Sequence, residues 1–221
     1  MMFLNKQKVG LFGGTFDPVH DGHLAVARHV LACCDVQYIL FIPAPHPPHK
    51  KNTSASFTQR VDMLNLALEG EQHMRVSLIE NEYPGPSYTV RTIKELKQRQ
   101  NEVEHYLIIG ADSLVDLPRW YKSKELVALV HLIVAGRDNV AMPAVADIIN
   151  SFHIPYTCCK TDHKWLLENG KTIQYLCDLE WPVSSSELRW QLAQGIQPTM
   201  MSTSVYRYIV ENKLYLRSGS L

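Results

Sequence analysis

The sequence predicts an α/β protein built on one doubly wound, mainly parallel sheet with helices on both faces. Short apolar runs have the length and composition of buried strands, and residues between them repeat at helical spacing. Alternating strands and helices imply right-handed crossovers and a parallel sheet that is covered on both sides. The predicted strands span residues 9–12, 38–42, 74–79, 105–109 and 132–135.

Composition narrows the classes of protein to consider. The 221 residues are 46% hydrophobic, which is enough for one large domain over 1–221. The formal net charge of zero lacks the basic field of a nucleic-acid-binding protein, but it is compatible with a small anionic ligand. The N-terminus is too polar for a signal peptide, and the longest apolar run is too short for a bilayer. We therefore expect a cytoplasmic protein with no nucleic-acid or membrane partner.

The first predicted helix follows the first strand through a glycine-rich turn, GGTFDPVHDGH, at residues 13–23. From Asp21 onward the apolar residues recur at helical spacing, so the helix begins beside the two histidines. Glycines let a ligand approach the backbone, and free N–H groups at a helix start attract an anion. His20 and His23 are three residues apart and can face the same ligand, for which polyphosphate is the natural candidate.

A long polar loop, residues 43–56, follows the second strand. Its prolines exclude a helix or a central strand. Loops at the carboxyl ends of parallel strands commonly bind ligands, and this one carries His49 and Lys50. The alternative is that these basic residues lie at the solvated tip of the loop and bind no ligand.

The next elements continue the alternation. Residues 57–69 form an amphipathic pattern that ends at Gly70, and the third strand follows at 74–79. A turn-rich connection then leads to a helix that begins after Ser87 or Tyr88.

The fourth strand ends at a second small-residue turn. Gly110 permits close approach of a ligand, and Asp112 can accept hydrogen bonds from ribose hydroxyls. Trp120, followed by Tyr121, would stack on a flat ring if exposed and would be ordinary core if buried. Ser123 can cap the next helix.

The fifth strand ends at Gly136 and Arg137, and the region after it is the least informative. Residues 138–172 contain a predicted helix near 145–152 and a polar connection. No repeat or low-complexity block marks a domain boundary there.

A second motif, VSSSELR, lies at residues 183–189 and opens a C-terminal helical part that starts at about residue 184. Ser184 or Ser185 can cap a helix that continues to Gly195, so hydroxyls and free N–H groups again face an anion. Arg189 lies near the first turn and can bind phosphate through its planar fork. A final amphipathic helix is predicted around 203–212.

The cysteine pattern indicates a reducing compartment. Five cysteines form two adjacent pairs and a single Cys177, with no Cys-x-x-Cys spacing. His153, Cys158, Cys159 and His163 could be assembled into a zinc set, but their spacing fits no common zinc finger. We expect no structural zinc.

Taken together, these motifs resemble those of a known family. GGTFDPVHDGH is similar to the phosphate-binding motif of the His-x-Gly-His nucleotidyltransferases, and SSSELR is similar to their second signature. The Pro-Pro-His-Lys run, Ser87-Tyr88-Thr89, Gly110-Ala111-Asp112 and Trp120-Tyr121 resemble motifs of the bacterial nicotinate-mononucleotide adenylyltransferases. The resemblance implies a Rossmann-like fold. It also implies transfer of AMP from ATP, accompanied by Mg²⁺, to nicotinate mononucleotide, giving deamido-NAD and pyrophosphate in NAD biosynthesis.

The resemblance also implies roles for individual residues. Thr89 would help to hold the nicotinate carboxylate, with the backbone near Tyr121 as its partner and Trp120 against the ring. Arg91 stands where the family usually has aspartate, so what that aspartate positions is in question. The expected catalytic residues are His20, His23 and Arg189. The expected ATP-binding residues are Gly13, Gly14, Thr15, Phe16, His20, Gly22, His23, Ser184, Ser185, Ser186 and Arg189. The expected substrate-binding residues are His49, Lys50, Thr89, Gly110, Asp112, Trp120, Tyr121 and Arg137. No residue is assigned to a metal.

Three alternatives stay open from the sequence. Pantetheine-phosphate adenylyltransferase shares both phosphate signatures, but it is usually shorter, often has threonine at the position of His20, and lacks the context of Trp120. A class I aminoacyl-tRNA synthetase fits poorly with zero net charge and this length. A nucleotide-binding regulator without turnover would keep the same fold. The sequence leaves the oligomeric state open.

Overall fold

The computed structural model describes residues 6–48, 52–136, 142–159, 163–177 and 183–216. Strands and helices alternate through most of this chain. The strands are β1 (Gln7–Gly14), β2 (Tyr38–Pro43), β3 (Met74–Val76), β4 (Val103–Gly110), β5 (His131–Ala135), β6 (Tyr156–Cys159), β7 (Lys164–Leu167) and β8 (Thr172–Leu176). The α-helices are α1 (Asp21–Cys33), α2 (Phe57–Ala67), α3 (Thr89–Arg99), α4 (Ala111–Asp116), α5 (Ser123–Leu129), α6 (Met142–Ser151), α7 (Ser185–Ala193) and α8 (Thr203–Glu211). Short 3₁₀ turns lie at Ile79–Glu82 and Leu117–Arg119.

The described strands form one sheet in the order β3-β2-β1-β4-β5-β8-β7-β6. The pairs from β3 to β8 are parallel, and β7 and β6 complete the sheet as an antiparallel hairpin. Apolar residues are buried on both faces, one layer beneath α1, α2, α7 and α8 and the other beneath α3, α5 and α6. The doubly wound, mainly parallel sheet predicted from the sequence is confirmed.

The centre of the sheet opens at its carboxyl edge. β1 pairs with β4 only as far as Phe12, beside Ile108, while Gly13 and Gly14 continue to pair with β2. β4 continues beside β5 instead, through to Gly110. The two central strands therefore part at the point where strand order reverses, and a crevice at this point is where open α/β sheets bind ligands.

Two predicted elements differ from the structure. The third strand stops at Val76, because Leu78 is exposed and Ile79 is buried from a 3₁₀ turn rather than from a strand. Ser123 does not cap α5. Lys122 is the N-cap residue, with φ of 53°, and the Ser123 hydroxyl donates to the Pro118 carbonyl at 3.1 Å.

The described part of the chain between β5 and α7 contains one helix and three strands. α6 confirms the helix predicted near 145–152, and β8 adds a parallel strand beside β5. In β7 the side chains alternate, with Trp165 and Leu167 buried and Leu166 exposed. Period-two burial of this kind covers one face of an edge hairpin.

Within the described ranges, no helix is long and apolar enough to span a membrane. The five cysteines all lie in the described ranges, and none is in a disulfide. The described His, Cys, Asp and Glu side chains form no group of three or more that could hold a metal ion.

Candidate active site

A cavity of about 280 Å³ opens at the carboxyl edge between β1 and β4. One side is lined by the backbone turn after β1, and the other by the start of α3 and by the aromatic residues that precede α5. Besides aliphatic side chains, the lining contains glycine, proline, polar and aromatic residues, namely Gly13, Gly14, Thr15, Pro47, Pro48, Glu80, Ser87, Tyr88, Thr89, Thr92, Ser113, Trp120 and Tyr121. Its position is the one that the strand order predicts for a ligand site.

Residues 13–20, at the end of β1 and before α1, are called the phosphate loop here because they carry the motif that resembles a phosphate-binding one. Phe16 occupies the left-handed region, with φ of 50°, and its ring is buried against Phe12 and Phe41. A side chain at Gly14 would come within 2.9 Å of that ring, so the loop needs glycine at this position. The Phe16 side chain is therefore core, and only its main chain can serve the ATP-binding role expected of it.

His20 and His23 lie together at the start of α1. His20 is the N-cap residue, and the two rings stack with centroids 3.7 Å apart. The His20 backbone N–H donates to His23 Nδ1 at 3.2 Å, so the proton of a neutral His23 ring is on Nε2. Nε2 is thus the donor nitrogen of the neutral His23 ring. The two imidazoles therefore lie side by side at the helix start, as their spacing allows.

Two N–H groups of this helix start already have acceptors. The Asp21 N–H donates to the Met200 carbonyl at 3.0 Å, and the His23 N–H donates to the His20 carbonyl at 2.9 Å. The anion-binding capacity of the loop therefore rests on fewer free N–H groups than an isolated helix start would offer.

The second motif packs directly on the phosphate loop. Ser184 caps α7 by accepting from the Glu187 N–H, and the Ser185 hydroxyl donates to the Pro18 carbonyl at 2.9 Å. Arg189 donates to the Asp17 carbonyl at 2.6 Å and to the Ser186 hydroxyl at 3.1 Å. The structure thus brings together the two motifs that the sequence assigned to phosphate, and Arg189 supports the loop as well as lying beside it.

Gly22 allows the same two motifs to approach each other. A side chain at Gly22 would come within 2.8 Å of Val183 and 3.0 Å of His20 Nδ1. Its place in the motif is therefore explained by packing between α1 and the start of α7.

The opposite wall of the cavity carries the residues expected to read the second substrate. Thr89 is the first residue of α3, and Tyr121 stacks on Tyr88 with ring centroids 4.5 Å apart. Trp120 is partly buried, so its ring lines the cavity without being wholly enclosed in the core. Thr89, Trp120 and Tyr121, widely separated in the sequence, share one wall as expected.

Gly110 and Asp112 lie at the carboxyl end of β4, outside the residues that line the cavity. Asp112 is exposed, and a side chain at Gly110 would come within 2.4 Å of its Oδ1. Ser113, in the first turn of α4, lines the cavity instead of them. His49, Lys50 and Arg137 fall outside the described residues.

Arg91 points away from the cavity. It is exposed, donates to the Pro84 carbonyl at 3.0 Å, and lies 4.9 Å from the centroid of the Tyr83 ring. A surface arginine that braces the turn before α3 accounts for this residue, and it leaves the lining of the cavity unchanged.

Glu80 is a cavity residue that the sequence did not indicate. Its carboxylate accepts from the Thr92 hydroxyl at 2.7 Å, one helical turn beyond Thr89. Burial raises the pKa of Glu80, and hydrogen bonds from Thr92 and Ser87 partly offset that rise. Glu80 therefore braces the first turn of α3.

Arg60 is a second residue that sequence reasoning missed. It is fully buried, and its two terminal nitrogens donate to the Thr15 carbonyl at 2.5 Å and to the Ala44 carbonyl at 2.9 Å. Burial lowers the pKa of Arg60, while the charge of nearby Asp17 raises it again, and a guanidinium remains protonated. It supports the turns that leave β1 and β2.

The phosphate loop lies where the strand order of the sheet reverses, and it contacts the start of α7, which carries Arg189. This arrangement defines a nucleotide-transfer site. Residues 11–191 match the model of the cytidylyltransferase-like family. The nicotinate-nucleotide adenylyltransferase of Bacillus subtilis is 36% identical over 214 residues, covering 95% of this chain and 98% of the relative. A protein of Bacillus licheniformis named "Probable nicotinate-nucleotide adenylyltransferase" is 44% identical over 212 residues, with 95% and 98% covered. The chain belongs to the nicotinate-nucleotide adenylyltransferase family, as the motifs predicted.

A solved structure has the same fold. The nicotinic acid mononucleotide adenylyltransferase of Plasmodium falciparum, complexed with NaAD, superposes with a TM-score of 0.74 at 17% identity. The match covers 95% of this chain and 97% of that one.

Arg189→Lys tests the fork geometry at the second motif. Lysine keeps the charge but loses the planar set of donors, so kcat/KM for ATP should fall by about tenfold or more in steady-state assays. Arg207→Lys on the exposed face of α8 is the matched control and should change nothing. If the two variants behave alike, Arg189 is an ordinary surface residue.

Proposed function

We propose that this protein transfers AMP from ATP to nicotinate mononucleotide, forming deamido-NAD and releasing pyrophosphate. The observation that carries the proposal is the cavity itself. It runs without interruption from the phosphate loop at Gly13 to the wall formed by Thr89 and Trp120. A triphosphate beside the loop and an aromatic mononucleotide against that wall would bring their phosphates together between them.

The reaction needs alignment more than covalent chemistry. The phosphate of the mononucleotide is already an ionised nucleophile, so it can attack the α-phosphorus of ATP without a general base or an enzyme-bound intermediate. Negative charge then builds up on the α-phosphate and on the leaving pyrophosphate. Nε2–H of His23 would donate to the former, and His20 and Arg189 would offset charge along the chain of phosphates.

Mg²⁺ enters this proposal as part of the ATP substrate. Triphosphate oxygens and water suit this ion, which keeps much of its hydration shell. The proposed setting is the reducing cytoplasm, which the cysteine pattern of the sequence favours.

Pyrophosphate release is the direct test of the proposed reaction. The purified protein is incubated with ATP and Mg²⁺ and, separately, with nicotinate mononucleotide, nicotinamide mononucleotide or phosphopantetheine. We expect rapid release with the acid and slower release with the amide. Preference for phosphopantetheine would indicate the other adenylyltransferase, and ATP binding without release would indicate a regulator.

Thr89→Val tests how the acid is distinguished from the amide. The change keeps the shape of the side chain and deletes one donor, so kcat/KM for nicotinate mononucleotide should fall by roughly one to two powers of ten. The amide substrate should lose less, because its substituent carries no charge.

Thr92→Val is the matched control for this variant. It deletes a hydroxyl from the same helix, but that hydroxyl is already bonded to Glu80. We expect lower thermal stability and an unchanged ratio of acid to amide activity. Equal losses on both substrates in Thr89→Val would show that Thr89 does not read the carboxylate.

A further inference from the structure

The Asp17 carboxylate joins three distant parts of the chain. Asp17 lies in the middle of the phosphate loop and is almost completely buried. Its Oδ2 accepts from the Ser54 N–H at 2.7 Å, and its Oδ1 accepts from the Ala55 N–H at 3.1 Å and from the Tyr215 hydroxyl at 2.7 Å. The loop is thereby tied to the segment before α2 and to the segment after α8.

Neutral donors satisfy this carboxylate, while the nearby guanidinium groups bond to carbonyls. Arg60 donates to Thr15 and Ala44, and Arg189 donates to the main chain of Asp17. A buried carboxylate that loses a neutral donor is expected to turn toward the nearest positive charge. Such a turn would pull the phosphate loop and both arginines out of their present arrangement.

The backbone at Tyr215 is held in an uncommon conformation. Its φ is 60°, in the left-handed region that large side chains rarely adopt. Such conformations persist where surrounding contacts fix them. Burial and the bond to Asp17 raise the pKa of the Tyr215 hydroxyl, so it stays a proton donor throughout the working pH range.

From these contacts we infer that Tyr215 is a positioning residue for phosphate transfer, acting through Asp17 to hold the phosphate loop against the segment at Ser54 and Ala55. That segment closes the long loop after β2, whose Pro47 and Pro48 line the cavity. The Tyr215 hydroxyl therefore helps to fix the carboxylate that joins the phosphate loop to the end of this long loop. The kinetic test of this inference rests on the proposed function, because it measures pyrophosphate release.

Tyr215→Phe removes one oxygen atom and keeps the packing of the ring. Because transfer depends on sub-ångström alignment of two phosphates, kcat should fall by roughly tenfold while KM for each substrate changes less than threefold. The measurement is steady-state pyrophosphate release by the full chain, together with the melting temperature.

Tyr208→Phe is the matched control. Its hydroxyl donates to Asp62 Oδ2 at the same 2.7 Å, in the same C-terminal part of the chain, but Asp62 is not part of the phosphate loop. It should lower the melting temperature no more than Tyr215→Phe does, because Asp62 is less buried than Asp17, and it should leave kcat within twofold of the original protein. Equal kcat losses in the two variants, or a normal kcat in Tyr215→Phe, would overturn the inference.

Amide hydrogen exchange provides a readout that does not require turnover. If Tyr215 acts through Asp17, Tyr215→Phe should speed exchange at Ser54 and Ala55, and Tyr208→Phe should not. Unchanged exchange at both amides would refute the coupling whatever substrate the protein uses. Failure of the proposed function would instead appear as no pyrophosphate release by the original protein.

Discussion

The hydrogen bonds that satisfy the buried Asp17 carboxylate are the contacts on which the rest of the site depends. A charge in this position is tolerated only when its acceptor sites are filled, and Ser54, Ala55 and Tyr215 supply the donors. Ser54 and Ala55 precede α2, and Tyr215 follows α8, so the donors come from two distant parts of the chain. The phosphate loop is therefore fixed by tertiary contacts as well as by Gly14 in its own sequence.

The sheet provides the cavity between β1 and β4, and polar contacts position the walls of that cavity. β1 and β4 part after Phe12, which makes room for a ligand at the carboxyl edge. α7 then lies against the phosphate loop through Ser185 and Arg189, while Glu80 braces the helix start across the cavity. Two walls built from remote parts of the chain can thus hold two substrates in contact, which is what an alignment mechanism requires.

Local features could be predicted from the sequence, and contacts between distant residues could not. Glycine loops, histidine spacing and serine caps act over a few residues, so both phosphate motifs were visible. Arg60, Glu80 and Tyr215 carry no local signal, because a lone charged or aromatic residue has the same spacing whether it is exposed or buried. The β6–β7 hairpin was missed because its short strands include exposed cysteines and an exposed Leu166.

The stereochemistry at the α-phosphorus tests the central claim most directly, since alignment without a covalent intermediate means a single in-line displacement. ATP with a chiral α-phosphorothioate would be converted with nicotinate mononucleotide, and the configuration of the dinucleotide product would be determined. One displacement predicts inversion. Retention would require two displacements through an enzyme-bound adenylate, and it would contradict the proposal that the phosphate loop, His23 and Arg189 act only by positioning and charge.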